Sequence, residues 1–379
     1  MKQSAFILFV ITVLILYTLA NIYLFYKGYR AIPDNTSIKY IYIILFLFFS
    51  LQFIITRILL LTDSSIHIKL FSEIGGIWLA AVLYLLITSL FIDLLSLSNH
   101  LIHFLPDLKP YKFIIFSTIV VAVFGLLIYG YFNAKSPGIK TLSLKVSKKT
   151  SINSLRIALV SDIHFGTIID YSEIKNMIKL IEKEKPDILL VAGDLVDEGI
   201  TKGNIAEIKP LFDNFQPKYG KIAVLGNHEY LNKIERTQSV FKQLGLELLR
   251  DSIVNLDNIF LIAGREDNSY EKEYNKKRKT VSEILKDADT SLPIILLDHQ
   301  PYNLNEAVEN SVDIQLSGHT HDGQMFPLNF LTKKAFEVSW GYLKKGNTHY
   351  YISSGFGTWG PRIRIGNNPE IVIINLTFD

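Results

Sequence analysis

The sequence predicts a two-part protein: an N-terminal all-α transmembrane bundle of four helices, residues 1–133, followed by an α/β domain, residues 134–379. Three observations carry that prediction. Apolar residues crowd the first third of a 379-residue chain that is 49% hydrophobic, too greasy for one ordinary soluble domain. Beyond about residue 134 short apolar strands alternate with amphipathic helices, the pattern of an α/β sheet. The residues that end those strands are mostly histidine and aspartate.

The four apolar runs cover residues 5–26, 40–62, 71–96 and 113–132. Each is long enough to cross a hydrocarbon core of roughly 30 Å as a helix. The first run follows Met1-Lys2, exceeds a signal-peptide core in length and precedes three more spans, so it reads as an anchor. Tyr17, Tyr23, Tyr26, Tyr40, Tyr42, Tyr129 and Tyr131 gather toward run ends, where amphipathic rings sit among headgroups. Arg57, Glu73 and Asp93 also lie near run ends and read as side chains snorkelling to the interface. His100 and His103, three apart but without a carboxylate pair beside them, read as interfacial polar residues. Lys27, Arg30, Lys39, Lys109 and Lys112 favour one orientation, and Lys135, Lys140, Lys145, Lys148 and Lys149 the opposite one. The positive-inside rule therefore leaves the side of the C-terminal domain open.

Net charge is +3 and spread over many lysines, so no nucleic-acid partner is expected. With no cysteine, disulfides, thiolate zinc sites and a cysteine nucleophile are excluded. The mixed run "REDNSYEKEYNKKRKT", residues 265–280, reads as a solvated loop or helix face.

In the C-terminal part, "TLSLKVS" alternates, with Leu142, Leu144 and Val146 on one face of a strand. "LRIALVSD" and "PDILLVAGD" are continuous apolar runs, as in strands buried on both faces. Between them Ile174, Met177, Ile178 and Ile181 recur at helical spacing, Asp170 and Glu173 form a capping box, and Pro186 closes the helix. "KIAVLGN", "PIILLDH" and "VDIQLSG" each follow a helical stretch in the same way. Right-handed crossovers would bring the carboxyl ends of all these strands to one edge of one sheet, where ligands bind. The later runs "HYYISSGF" and "PEIVIINLTF" suit a second sheet packed on the first.

Five strand-end loops then carry Asp162 and His164, Asp194, Asn227 and His228, His299, and His319 with His321. Five of the six histidines of the domain fall in them. Imidazole nitrogens and carboxylate oxygens are ligands for divalent Mn, Fe or Zn. A His-x-His on an extended strand end would point both rings the same way. Eight positions exceed the needs of one ion, so two divalent metal ions are expected, sharing one carboxylate. Asp194, ending the most apolar strand, is the natural bridge. Neighbouring glycines would let the backbone turn tightly.

These motifs, Asp162-x-His164, Gly193-Asp194, Gly226-Asn227-His228-Glu229, a lone His299 and Gly318-His319-x-His321, together resemble the calcineurin-like metallophosphoesterases over residues from about 150 to 379. The resemblance implies a β-sandwich flanked by helices. It implies one ion on Asp162, His164, Asp194 and His321, a second on Asp194, Asn227, His299 and His319, and His228 as the catalytic imidazole. Ser161 stands where many relatives have glycine and Glu229 where many have aspartate; neither is a ligand. The stretch "GFGTWGPRIRIGNNPEI" resembles the membrane-associated, YkuE-like branch. That branch includes enzymes that cleave the pyrophosphate of UDP-2,3-diacylglucosamine in lipid A synthesis.

The activity so implied is hydrolysis of a phosphodiester or pyrophosphate in a lipid-linked substrate, at a bacterial inner membrane, with manganese among the candidate metals. A phosphomonoesterase or cyclic-nucleotide phosphodiesterase would use the same site, and a non-catalytic metal-binding membrane scaffold is a third reading. Arg362 and Arg364 are candidate donors to substrate phosphate. Phe356 and Trp359 either line an entrance for a lipid or base or belong to the core. The oligomeric state stays open.

Overall fold

Four long helices open the chain: α1 (Gln3–Ala31), α2 (Ser37–Leu61), α3 (Ile68–Ile102) and α4 (Lys112–Ala134). The computed structural model describes residues 3–34, 36–61, 68–197, 200–231 and 234–379. Two compact units emerge, Met1–Phe132 with Gly360–Ile363, and Asn133–Trp359 with Arg364–Asp379.

All four helices of the first unit are long and apolar enough to cross a membrane. Helix is the form such segments require, because lipid offers no partners to backbone N–H and C=O groups. Their outer faces carry Leu, Ile and Phe, while a few polar groups pair inside. Trp78 Nε1 donates to Asn21 Oδ1 at 3.0 Å, and the Tyr17 hydroxyl donates to the Ser50 carbonyl at 2.7 Å. Asp93, half exposed near the end of its run, is paired rather than solitary. It accepts from the Tyr23 hydroxyl at 2.6 Å and forms an ion pair with Lys27, both on α1. A cation on a neighbouring helix lowers the cost of an ionised carboxylate near a span end. Glu73 likewise lies 3.3 Å from Arg362 Nη1 within this unit. The side chain of Arg57 lies outside those described, as does Thr62. His100 and His103 are exposed, and neither joins a metal-binding group among the described residues.

The second unit begins with β1 (Gly138–Val146) and β2 (Ser154–Val160), then α5 (Tyr171–Lys183), β3 (Ile188–Ala192), α6 (Lys202–Asn214) and β4 (Lys221–Val224). Helices α7 (Asn227–Leu231) and α8 (Ile234–Gln243) lead to β5 (Glu247–Leu248), β6 (Ser252–Leu256) and β7 (Phe260–Gly264). Next come α9 (Ser269–Tyr274), α10 (Val281–Leu285), β8 (Ile294–Leu297), α11 (Asn305–Glu309) and β9 (Ile314–Ser317). The order ends with α12 (Asn329–Ala335), β10 (Gly341–Lys345), β11 (Thr348–Ile352) and β12 (Glu370–Phe378). The Asp170–Glu173 capping box starts α5, with Asp170 Oδ1 accepting from the Ser172 N–H at 2.9 Å and Glu173 accepting from the Asp170 N–H at 3.0 Å.

Two six-stranded sheets result, in the orders β1-β12-β2-β3-β4-β5 and β10-β11-β9-β8-β7-β6. Their inner faces meet in one core, where Ile157 and Leu159 of β2 and Leu190 of β3 pack with Ile295 and Leu297 of β8 and Leu316 of β9. Alternate residues point outward: Ala158, Val160 and Val191 cover Ile174, Met177 and Ile181 of α5. On the other sheet Leu261, Ile294 and Leu296 cover Ile284 and Leu285 of α10. This is a β-sandwich flanked by helices, and each fully buried Leu or Ile contributes about 1.5–3 kcal/mol.

The late strands divide between the sheets. β11 joins the second, but β12 enters the first, parallel to β1 and antiparallel to β2 with Val372 opposite Leu159. Its Val372, Ile374 and Leu376 face the sandwich interior while Ile371 and Ile373 face the helices, and a strand apolar on both faces belongs in the middle of a sheet.

The charge run 265–280 is only partly solvated. Arg265, Glu266, Asp267 and Arg278 are buried. Arg265 and Arg278 donate to Asp298 at 3.3 and 2.9 Å, and Arg265 also donates to Glu306 at 2.8 Å. The reason is topological: β7 and β8 are parallel neighbours, so the residue after each strand meets its counterpart at the same edge.

Candidate metal centre

The five loops come from the carboxyl ends of β2, β3 and β4 in one sheet and β8 and β9 in the other. The single-sheet expectation is therefore corrected: the site lies at one end of the sandwich and both sheets supply it. Backbone bonds tie the loops together. The Asp162 N–H donates to the Gly193 carbonyl and the His164 N–H to the Asp194 carbonyl, each at 3.0 Å. Across the sandwich the His319 N–H donates to Asp162 Oδ1 at 2.9 Å, and His299 Nδ1 donates to the Ala192 carbonyl at 2.7 Å.

Backbone strain concentrates here. Asp162, His164, Asp194, His319 and His321 all have positive φ, between 48° and 74°. Such residues cost of order 1–3 kcal/mol each and persist where the surroundings over-determine them. The His-x-His motif is consequently a tight turn beyond β9 and not an extended strand end. Its two rings part company: His319 Nδ1 is 2.8 Å from Asn227 Oδ1, whereas His321 Nε2 is 3.1 Å from His164 Nε2. Of the flanking glycines Gly193 turns the chain, with φ 87°, while Gly226 and Gly318 serve close approach. A Cβ on Gly226 would lie 2.2 Å from Asp194 Oδ1, and one on Gly318 would lie 2.2 Å from Asp162 Oδ2.

Among the described residues His164, Asp194 and His228 form one ligand-type group, and two further groups flank Asp194. In the first of these two, His321 Nε2 is 3.1 Å from His164 Nε2 and 3.5 Å from Asp162 Oδ1. In the second, His299 Nε2 is 3.3 Å from Asn227 Oδ1, which in turn is 2.8 Å from His319 Nδ1. Asp194 Oδ2 stands between them, 3.9 Å from His164 Nε2 and 3.2 Å from His299 Nε2. Ligands about 2.0–2.2 Å from a common ion are roughly 3–3.5 Å apart, so the separations fit two adjacent cation sites. The chemistry of the set fits as well. His299 spends Nδ1–H on the Ala192 carbonyl, which leaves the Nε2 lone pair directed at the group. Asp162 and Asp194 are almost wholly buried, a placement that costs several kcal/mol unless cations offset it.

The electrostatics point the same way. Burial drives the Asp162 carboxyl above its usual range. Burial also acts to raise Asp194, but the neighbouring His299 and His228 outweigh it and hold Asp194 well below that range. For His319, burial and the adjacent His299 push the imidazole down to about 3. His228 goes the other way: burial lowers it, yet Asp194 and Asp197 together raise it to about 9.

Asp197 and Asn367 escape a reading of the motifs, and Glu229, which stands in one, shows its role only here. Asp197 Oδ1 lies 3.0 Å from His228 Nδ1, and its only signal is a second carboxylate three residues after Asp194. Glu229, fully buried, accepts the backbone N–H groups of Asp194, Val196 and Gly226 at 3.0, 3.0 and 2.6 Å, clamping two loops at once. Burial and nearby Asp194 raise its carboxyl to about 7. Asn367 donates to the carbonyls of His321 and Asp322 at 2.9 and 3.2 Å.

A cavity of about 450 Å³ opens over the centre, with Asp194, Asn227, His228, His319 and His321 on its polar side. Its other wall is apolar, formed by Leu328, Leu331, Phe336 and Trp359. Trp359 thus lines the entrance, whereas Phe356 is buried in the core. The two arginines do not line the cavity. Arg364 is fully buried, its Nη2 donating to the Ser354, Gly355 and Gly357 carbonyls and standing 3.2 Å from His321 Nδ1. Arg362 groups with the four-helix unit and Glu73. Backbone carbonyls take Arg364 Nη2 and a carboxylate takes Arg362 Nη1, so neither guanidinium is presented to the cavity as the sequence suggested.

Residues 155–323 match the family model of the calcineurin-like phosphoesterases. The chain is 31% identical over 240 residues to an uncharacterized metallophosphoesterase of Aquifex aeolicus, covering 63% of this chain and 91% of that protein. A Campylobacter jejuni protein, also named an uncharacterized metallophosphoesterase, is 30% identical over 388 aligned positions that cover 98% of each chain. A Danio rerio protein named transmembrane protein with metallophosphoesterase domain is 31% identical over 275 residues, 69% of this chain and 62% of that one.

Proposed function

The chain belongs to the calcineurin-like phosphoesterases, metal-dependent hydrolases of phosphoric esters, and we propose that it is a dinuclear-metal phosphodiesterase or pyrophosphatase acting on a lipid-linked substrate at a membrane. The observation that carries this reading is Asp194 Oδ2, 3.9 Å from one group of imidazoles and 3.2 Å from the other. In it, Asp162, His164, Asp194 and His321 would hold one divalent ion of Mn, Fe or Zn type, and Asp194, Asn227, His299 and His319 would hold a second. When bound, the pair supplies Lewis-acid polarisation of the phosphoryl oxygens and acidifies the attacking water.

The remaining work falls to the chain itself. His228 lines the cavity with Nδ1 turned to Asp197, and Nε2 is the atom assigned to protonate the leaving oxygen. Asp197 holds that ring in register, and Glu229 holds the loops that carry Asp194 and Asn227. A pure metal-binding scaffold has no use for the His228–Asp197 pair, which favours an enzyme.

For the substrate, the apolar wall opposite the metal side and the four apolar helices of the same chain suit a phosphoester or pyrophosphate with an acyl tail, such as UDP-2,3-diacylglucosamine in lipid A synthesis at a bacterial inner membrane. Phosphomonoesters and cyclic nucleotides fit the polar side but leave that wall uncovered. The deciding experiment is metal analysis of the purified full-length protein together with Mn-dependent turnover of an aryl phosphodiester, before and after Asp194→Asn. Loss of bound metal and a fall of about 10²-fold or more are expected; equal metal content and turnover in both proteins reject the assignment.

A further inference from the structure

Among the described residues of the second unit a group of exposed apolar side chains adjoins the cavity. Phe326 is 49% exposed, Phe330 60%, Leu331 65% and Trp359 44%. The rings of Phe326 and Phe330 lie 5.7 Å apart. Trp359 is held beside this segment by paired bonds, its N–H donating to Gln324 Oε1 at 3.0 Å and its carbonyl accepting from Gln324 Nε2 at 3.1 Å. Leu331 and Trp359 also form part of the cavity's apolar wall, so surface and cavity are continuous. Lys333 and Lys334 follow at the end of α12 and are exposed.

Partly exposed phenylalanine, leucine and tryptophan side chains grouped at a cavity mouth mark an interaction surface. Aromatic and aliphatic side chains flanked by lysines are what an interfacial segment uses to bind anionic lipid. The same chain carries four helices apolar enough to span a bilayer, so lipid is available to this surface at high local concentration. We infer that Phe326, Phe330, Leu331 and Trp359 dock into the bilayer surface, and that the acyl tail of the substrate reaches the metal cavity along the wall of Leu328, Leu331 and Trp359. The second half rests on the lipid-linked reading above; the first does not.

The test uses the full chain in nanodiscs of phosphatidylglycerol. The protein has three tryptophans and no cysteine, so Trp78→Phe with Trp340→Phe leaves Trp359 as the sole indole, and Phe330→Cys gives a unique attachment point for a nitroxide in otherwise unaltered protein. Acyl-brominated lipid should quench Trp359 about two-fold or more, and the nitroxide should be relaxed more by oxygen than by aqueous nickel. Emission quenched by aqueous iodide and not by brominated lipid, with a nickel-accessible nitroxide, overturns the docking surface. Shielding from both quenchers, with Phe330→Asp converting a dimer to a monomer, assigns the patch to a second copy and also overturns it. For the tail path, Phe330→Asp should lower turnover of a bilayer-embedded phosphodiester relative to a soluble aryl phosphodiester by about tenfold; an unchanged ratio removes that half. Wild-type protein that is quenched by lipid but hydrolyses neither ester would defeat the hydrolase reading and leave the docking surface standing.

Discussion

The carboxylate of Asp197 serves two imidazoles: Oδ1 lies 3.0 Å from His228 Nδ1 and Oδ2 lies 3.5 Å from His164 Nδ1. A single side chain thereby aligns the ring assigned to proton delivery and a ring assigned to metal binding. Asp197→Asn keeps the shape but changes an acceptor-only group into one that presents an amide N–H to one of those rings. Turnover of a soluble phosphodiester should fall roughly 10–100-fold. Steady-state kinetics alongside metal analysis check this, and unaltered turnover at full metal content would show that neither ring depends on Asp197.

Glu229 satisfies three buried backbone N–H groups, from Asp194, Val196 and Gly226. Glu229→Gln leaves one oxygen for three donors and turns an amide toward the rest. A loss of about 1–3 kcal/mol is expected, seen as a lower melting temperature of the detergent-solubilised protein and weaker metal retention. A melting curve that does not move contradicts the clamp.

Arg364 separates two roles cleanly. As a buried link to the Ser354, Gly355 and Gly357 carbonyls, it should respond to Arg364→Lys with a lower melting temperature and an unchanged KM, since lysine lacks the planar fork. A raised KM with normal stability would instead return Arg364 to the substrate phosphate.

Asp298 receives both Arg265 and Arg278, all three buried. Asp298→Asn removes the carboxylate paired with Arg278 and leaves Arg265 to Glu306 alone, beside the loop that carries His299, at a cost of about 3–5 kcal/mol. Chemical denaturation should register that loss, and a midpoint within error of wild type would refute the network.

Chelation should destabilise the catalytic unit, because buried Asp162 and Asp194 lose their counter-charges. By linkage, ions present at a hundredfold excess over their Kd stabilise by about 2.7 kcal/mol each. Differential scanning fluorimetry with EDTA, followed by Mn or Zn titration, should show a drop that either metal reverses; no response to either treatment would argue against bound ions.

Much of this molecule was legible in its sequence because the signals are local. Four apolar runs of span length, the helical spacing from Ile174 to Ile181 and the Asp170–Glu173 box each depend on residues a few positions apart. The eight strand-end side chains were legible for a related reason: a polar residue that ends a buried strand has only the sheet edge to occupy, and the structure brings them together, with Asp194, Asn227, His228, His319 and His321 lining the cavity and Asp162, His164 and His299 grouped against them.

Tertiary structure alone decided the rest. The sequence alphabet marks a strand but not its sheet, so nothing local told β12 to insert between β1 and β2, or the loops of β8 and β9 to come from the opposite sheet. Pairings such as His164 with His321, Asp93 with Lys27 and Arg364 with the carbonyls around Gly355 join partners whose spacing follows no helical or strand period. A charged side chain's fate depends on which partner burial presents to it. That is why Asp93 meets Tyr23 and Lys27 of another helix, Arg364 is committed to backbone carbonyls, and Asp197 holds the imidazole of His228.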